Sequence, residues 1–210
     1  MAMVRRMAVT LIRHGLTKAN QEKRYIGFSD HSLCDEGINE LQALKQDGIY
    51  PKPDLILSSD RRRCVETAEL LFPGFLVQTC EGFREMNFGD WENKTYDDLC
   101  GNLQYRKWID DPKEVCPPNG EDLANFEKRV LSGWQNEVLP LFENNNLNHV
   151  VILGHGGPIR FLLSQFAPEK RDLWEWSTGH GQGYTLTWEG GVAGRCTLLQ
   201  AAPLTVKRNG

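Results

Sequence analysis

Two segments set an imidazole directly behind a short apolar run. Arg13-His14-Gly15 follows residues 7–12, and Gly154-His155-Gly156-Gly157-Pro158 follows residues 150–153. A third run, 54–57, leads into Ser58-Ser59-Asp60 and the triple Arg61-Arg62-Arg63. A fourth, 75–79, leads to residues 81–91, which hold Arg84 and Glu85. Arginine presents a planar fork that matches two phosphate oxygens, and the backbone N–H groups ahead of Pro158 add the positive end of a helix dipole. A neutral imidazole against a phosphate held in this way can attack phosphorus directly, while a nearby carboxylic acid gives a proton to the departing oxygen. Paired histidines also suit a metal, but arginines beside them repel a dication, and no Asp/Glu cluster adjoins His14 or His155. Neither a metal nor a cofactor is expected.

The apolar runs are strand-sized and rich in β-formers, and each ends at polar residues, so each reads as a buried strand. Between the first and the third, Asp35 opens a helix with Ile38, Leu41 and Leu44 on one face, and Gly48 stands where a left-handed C-terminal cap would sit. Residues 60–71 read as a second helix. Leu123, Phe126, Val130, Trp134, Val138 and Leu141 recur by threes and fours, which predicts one long amphipathic helix before the strand at 150–153. Pro158 suits the first turn of another. Residues 184–188 and 197–200 flank a Glu189-Gly190-Gly191 turn, an antiparallel edge.

Strands alternating with helices predict an α/β fold: a three-layer α/β/α sandwich with a mostly parallel central sheet and an antiparallel edge strand, spanning residues 1–210 as a single domain. The proline-containing stretch 110–120 reads as a surface loop. In such a sheet ligands bind beyond the carboxyl ends of the strands, so the two histidines, the arginines and Glu85 share one edge.

Lys+Arg 24 against Asp+Glu 28 gives a formal charge of −4 without a long cationic run, which argues against nucleic acid or an anionic membrane as the partner. No apolar run approaches the roughly 18 residues of a membrane span. The stretch behind Arg5 and Arg6 stops at Arg13 without a small-residue cleavage site, so a cytoplasmic address is expected. Six scattered cysteines suit reduced thiols.

Leu11-Ile12-Arg13-His14-Gly15-Leu16-Thr17 resembles the Arg-His-Gly signature of the histidine phosphatase superfamily, whose phosphoglycerate mutase, phosphatase and α-ribazole phosphatase branches share one fold. The resemblance continues through Gly27, Asp30 and Gly37. It extends over Ser58-Ser59-Asp60 to Arg63, Glu66-Thr67-Ala68, Glu85 to Trp91-Glu92, Gly120-Glu121, and His155-Gly156-Gly157-Pro158-Ile159-Arg160. Several motifs in one order carry far more weight than a lone tripeptide.

The resemblance implies that His14 accepts the phosphoryl group, Arg13 and Arg63 clamp its oxygens, His155 donates to them, and Glu85 handles the leaving-group proton. It puts Asn20, Gly27, Gly156 and His180 on the substrate side. Arg63 is the clamp of the three arginines because it stands four residues before Thr67. Arg61, where the family usually has leucine, and Arg62 are expected to be solvated helix charges. His31 and His149 are expected at the surface, and Trp91, Trp174 and Trp176 in core or rim packing. For the chemistry to run, His14 must keep its pKa at or below about 6.5 in the free enzyme. Glu85 must start protonated, through burial and an incoming phosphate dianion, which gives a bell-shaped rate profile.

These readings converge on a phosphatase for a small phosphomonoester, with α-ribazole 5′-phosphate among the candidates and broad specificity expected. The main alternative is a cofactor-dependent phosphoglycerate mutase. Residues 86–92 resemble the phosphatase-like branch, and the stretch after Trp91 holds too few basic groups for the closed cationic lid a mutase needs. A noncatalytic regulatory protein on this fold would be marked by loss of His14 or Glu85, and both are present.

Overall fold

The computed structural model describes residues 5–144, 147–192 and 194–205. Residues 1–4, part of the amino-terminal stretch considered above as a leader, lie outside them. In chain order the strands are β1 (Arg6–Arg13), β2 (Gly48–Ile49), β3 (Leu55–Ser58), β4 (Val77–Thr79), β5 (His149–Gly154), β6 (Gly183–Glu189), β7 (Leu198–Ala202) and β8 (Leu204–Thr205). The helices are α1 (Lys18–Gln21), α2 (Asp35–Asp47), α3 (Arg62–Leu71), α4 (Tyr96–Leu99), α5 (Leu103–Asp110), α6 (Leu123–Gly133), α7 (Leu139–Asn144) and α8 (Gly156–Phe166).

Six strands form one sheet in the order β4-β3-β5-β1-β6-β7; the first four are mutually parallel, β6 pairs antiparallel with β1, and β7 pairs antiparallel with β6. Period-2 alternation sorts the side chains to two faces. Val9, Leu11, Leu57, Val150 and Ile152 join one core with Phe126 and Val130 of α6 and Ile159, Leu162 and Leu163 of α8. Ile12, Ile56, Val151 and Leu153 point the other way onto Leu41 of α2 and Cys64, Ala68 and Leu71 of α3. The predicted three layers follow from that split.

Four local expectations are corrected. Gly48 is not a left-handed cap: its φ is −124°, and the chain runs straight into β2, which pairs with β8. The long helix after Asp122 is interrupted by a π turn at Trp134–Val138, where Trp134 stacks on Phe166 at 4.5 Å between centroids. The wider turn takes up one residue more than an α turn while Trp134 and Val138, at its two ends, both stay buried. His149 is half-buried at the head of β5, its Nε2 2.7 Å from Thr10 Oγ1, and burial lowers its pKa. Arg61 is not a solvated helix charge, because its Nη1 donates to the Phe28 carbonyl at 2.9 Å.

The four parallel strands end on the same side, so the segments after β1, β3, β4 and β5 meet there. Strand β6 begins at that edge, since Gly183 pairs with Ile12, and this brings the preceding loop and His180 to the same place. The loop at 110–120 packs on residues 87–90: Asp90 N–H donates to the Pro118 carbonyl and Glu121 N–H to Asn87. No helix among the described residues is long and apolar enough to cross a membrane.

Candidate active site

His14 leaves the end of β1 with its backbone N–H donating to the Gly154 carbonyl at 3.0 Å, which locks it against β5. The next residue, Gly15, donates to Thr67 Oγ1 at 2.9 Å, and that hydroxyl donates to the Arg63 carbonyl. The imidazole loop is therefore tied to the helix that carries Arg63. His14 Nδ1 lies 2.7 Å from the Gly15 carbonyl, which can only accept, so Nδ1 carries the proton and Nε2 keeps its lone pair. Burial, Arg63 and Arg13 hold the His14 pKa well below the ordinary histidine value. That agrees in direction with the need for an unprotonated nucleophile.

His155 stands edge-on to His14, ring centroids 5.2 Å apart, with 1% exposure. Its Nε2 is 2.9 Å from Ser59 Oγ and 3.5 Å from the Cys64 sulfur. Burial, Arg63 and His14 push its pKa well down too. His180 completes a trio, 5.4 Å from His14 by centroids, with Nδ1 2.9 Å from the His14 carbonyl; burial and Arg13 depress it to about 4.

Arg63 is fully buried, with Nη1 donating to the Ser29 carbonyl and Nη2 to the Gly27 carbonyl at 2.8 and 2.9 Å. Arg13 Nη1 donates to the Thr178 carbonyl at 2.9 Å. The Nε atoms of both arginines are buried and have no hydrogen-bond partner among the described residues. Burial lowers the pKa of each, and Glu85 raises it. A donor left without an acceptor in a protein interior costs on the order of 1–3 kcal/mol, and two beside one imidazole describe a place made for an anion.

Glu85 is fixed by two backbone donors, Met86 N–H on Oε1 and Gly157 N–H on Oε2, both at 2.9 Å. Gly157 lies in the first turn of α8, so the carboxylate sits at a helix N-terminus. A Cβ at Gly157 would come within 2.1 Å of Glu85 Oε1, while one at Gly156 would lie 3.9 Å from both Arg13 and Glu85, so Gly156 floors the gap between them.

His14, His155, His180, Arg13, Arg63, Glu85 and Gly156 are thus brought together. Gly27 backs Arg63, with its N–H on Glu92 and its carbonyl on the guanidinium. Asn20 Oδ1 accepts from the Thr17 N–H and hydroxyl, closing a capping box on α1; among the described residues its side chain bonds Thr17 rather than the imidazole cluster. Ser59, Thr67, Thr178 and Glu92 were missed by sequence reasoning. Ser59, Thr67 and Glu92 lie inside the motifs named above, but nothing in their types tells what they hold. Trp91 and Trp176 are buried and Trp174 is 55% exposed. Among the described residues, no group of three or more His, Cys, Asp or Glu side chains could hold a metal ion.

The depressed histidines have a consequence for stability. His14, His155 and His180 are neutral in the folded chain, whereas in the unfolded chain each binds a proton as pH falls below about 6.5. Their penalty is absent above that pH and grows towards the folded pKa values. The thermal midpoint is expected to be several degrees lower at about pH 5 than at about pH 7.5, and a midpoint unchanged over that window would contradict the burial of neutral imidazoles.

The model of the histidine phosphatase superfamily (branch 1) matches residues 9–198. An adenosylcobalamin/alpha-ribazole phosphatase of Escherichia coli (strain K12) is 31% identical over 163 residues, 76% of this chain and 78% of that protein. A 2,3-bisphosphoglycerate-dependent phosphoglycerate mutase of Xanthobacter autotrophicus is 27% identical, over 91% of this chain and 97% of that one. The crystal structure of the alpha-ribazole phosphatase from Shigella flexneri superposes with a TM-score of 0.81 at 26% identity, covering 96% of this chain and all of the other. The chain belongs to branch 1 of the histidine phosphatase superfamily.

Proposed function

We propose that the chain, acting as one catalytic domain, is a phosphatase that hydrolyses a small phosphomonoester through a phosphohistidine at His14. The observation that carries this reading is the pair of buried, unpartnered Nε donors on Arg13 and Arg63 beside an imidazole whose Nδ1 is tied back to Gly15. Two guanidiniums match the charge of about −1.5 to −2 on a phosphate monoester.

In the first half-reaction Glu85 enters as the carboxylic acid; His14 Nε2 attacks phosphorus, the P–O ester bond breaks, and the leaving alcohol takes the Glu85 proton. Water then attacks phosphorus, Glu85 takes the water's proton, and the P–N bond breaks to release inorganic phosphate and restore neutral His14. His155 serves as a donor to the non-bridging oxygens: with the Ser59 hydroxyl donating to Nε2, Nδ1 carries the ring proton. Positioning and charge stabilisation supply most of the acceleration. Gly156, Asn20 and His180 border the substrate, and Gly27 acts through Arg63. No metal is needed, since the phosphate charge is met by arginine.

The substrates named for the relatives make α-ribazole 5′-phosphate the first compound to try, beside phosphoserine and 3-phosphoglycerate. The test is phosphate release across that panel with and without EDTA and 2,3-bisphosphoglycerate. Chelator-insensitive release with no need for the bisphosphate is expected. Interconversion of the two monophosphoglycerates that depends on the bisphosphate would instead make the chain a mutase, the activity named for the Xanthobacter relative.

A further inference from the structure

Residues 27–29 form three consecutive peptides with the same arrangement of partners. Every N–H of the tripeptide donates to one carboxylate: Gly27 N–H lies 3.1 Å from both Glu92 oxygens, Phe28 N–H 2.9 Å from Oε1, and Ser29 N–H 3.1 Å from Oε2. Phe88 N–H adds a further bond to Oε1 at 3.1 Å. Every carbonyl of the same tripeptide accepts from a guanidinium, Gly27 and Ser29 from Arg63 and Phe28 from Arg61. A carboxylate and two guanidiniums therefore sandwich one short loop, with the N–H groups facing the anion and the carbonyls facing the cations.

We infer that Glu92 is a positioning residue for phosphate recognition, which acts on Arg63 through the peptides at 27–29. The inference rests on the reading of Arg63 as a phosphate clamp. A buried guanidinium keeps its charge and its angle only when its hydrogen-bond partners are fixed, and here the partners are two loop carbonyls with no regular secondary structure to hold them. Glu92 supplies that rigidity. It accepts four N–H groups, orients the peptides, and polarises them so that each carbonyl becomes a stronger acceptor. Its charge also acts directly on Arg63, offsetting part of the desolvation of the guanidinium. With both Nη atoms docked to the loop, the unpartnered Nε remains for the ligand.

The packing leaves no slack for another arrangement. A Cβ at Gly27 would lie 1.8 Å from the Met86 carbonyl oxygen and 2.5 Å from Glu92 Oε1, so the loop closes onto the carboxylate only with glycine at that place. Glu92 follows Trp91, which is 2% exposed and packed on Tyr105 and Trp108, so its backbone is anchored in a separate aromatic cluster.

The test is a double-mutant cycle on kcat/KM for an aryl phosphate, using Glu92→Gln, Arg63→Lys and the pair. Glutamine has the same length but replaces one acceptor oxygen with a donor, and lysine cannot span both carbonyls. Glu92→Gln alone is expected to lower kcat/KM by roughly 30-fold and to raise the inhibition constant for inorganic phosphate; in the Arg63→Lys background the same change is expected to cost under about 3-fold, because the docking it supports is already lost. Equal factors in both backgrounds, with thermal midpoints lowered equally, would overturn the inference and leave Glu92 a structural residue. If Arg63→Lys alone left kcat/KM unchanged, the reading of Arg63 as the clamp would fail instead. Should Glu92→Gln not fold, Glu92→Asp, which keeps the charge but falls short of the full set of N–H groups, carries the same cycle with the same criteria.

Discussion

His14→Ala is expected to lower turnover by about 10⁴-fold or more for every phosphomonoester, because it removes the atom that bonds to phosphorus while leaving the arginine cradle standing. His155 Nε2 is engaged with Ser59, whereas His180, like His14, points Nδ1 at a backbone carbonyl, so any residual transfer would run through His180 Nε2. The Cys64 thiol is buried and pushed up to about 12, which leaves it without thiolate character at neutral pH. Phosphate binding should survive, since Arg13, Arg63 and the α8 N-terminus remain. Steady-state phosphate release, together with protection of the fold by inorganic phosphate, separates the two effects. Residual turnover above about one per cent of wild type would show that another group carries the chemistry.

Glu85→Gln carries the second largest expected effect, and its size depends on the substrate. For an alkyl phosphate the departing alkoxide needs a proton in the transition state, and loss of the acid is expected to cost about 10²- to 10⁴-fold in kcat. For an aryl phosphate whose phenolate leaves unprotonated, the loss should be under about 10-fold in the first half-reaction. The carboxylate accepts from both Met86 and Gly157, so an amide can satisfy only one of those donors and will rotate to do so. Single-turnover formation of the phosphoenzyme from the two substrate types measures the difference, because the later attack of water is common to both. An equal loss in that step would mean that Glu85 positions the phosphate and does not protonate the leaving group.

The sheet and the convergence of its loops were readable because they depend on local signals. Short β-rich runs ended by polar residues located β1, β3 and β5, and their parallel order put Arg13, His14, Arg63, Glu85 and His155 at one edge. Pairings across long stretches of chain left no such trace. Gly48 enters β2 because Leu204 and Thr205 are there to receive it, more than 150 residues later. The π turn at Trp134 was hidden for another reason: threefold and fourfold spacings look alike whether the turn is tight or wide. Helix α4 could have been found, since Thr95 and Asp98 form a capping box whose residue types are visible in the sequence.

In the candidate site, the histidines, arginines and Glu85 that cluster there were legible, and the groups that hold them in place were not. Ser59 beneath His155, Thr67 holding Gly15, the Thr178 carbonyl on Arg13 and Glu92 on the 27–29 loop all act through main-chain or side-chain contacts set by tertiary structure. A glutamate that clasps four peptide N–H groups has the same letter as one in solvent. The orientation of His14 likewise leaves no trace in the residue types, because the tautomer depends on the Gly15 carbonyl.

The most direct test is rapid-quench labelling with a 32P-phosphomonoester, stopped under alkaline conditions and followed by peptide mapping. An acid-labile, base-stable adduct confined to the peptide that contains His14, formed and discharged at rates compatible with turnover, is the predicted result. Label on a different side chain, or turnover through which no phosphoenzyme forms at His14, would contradict it.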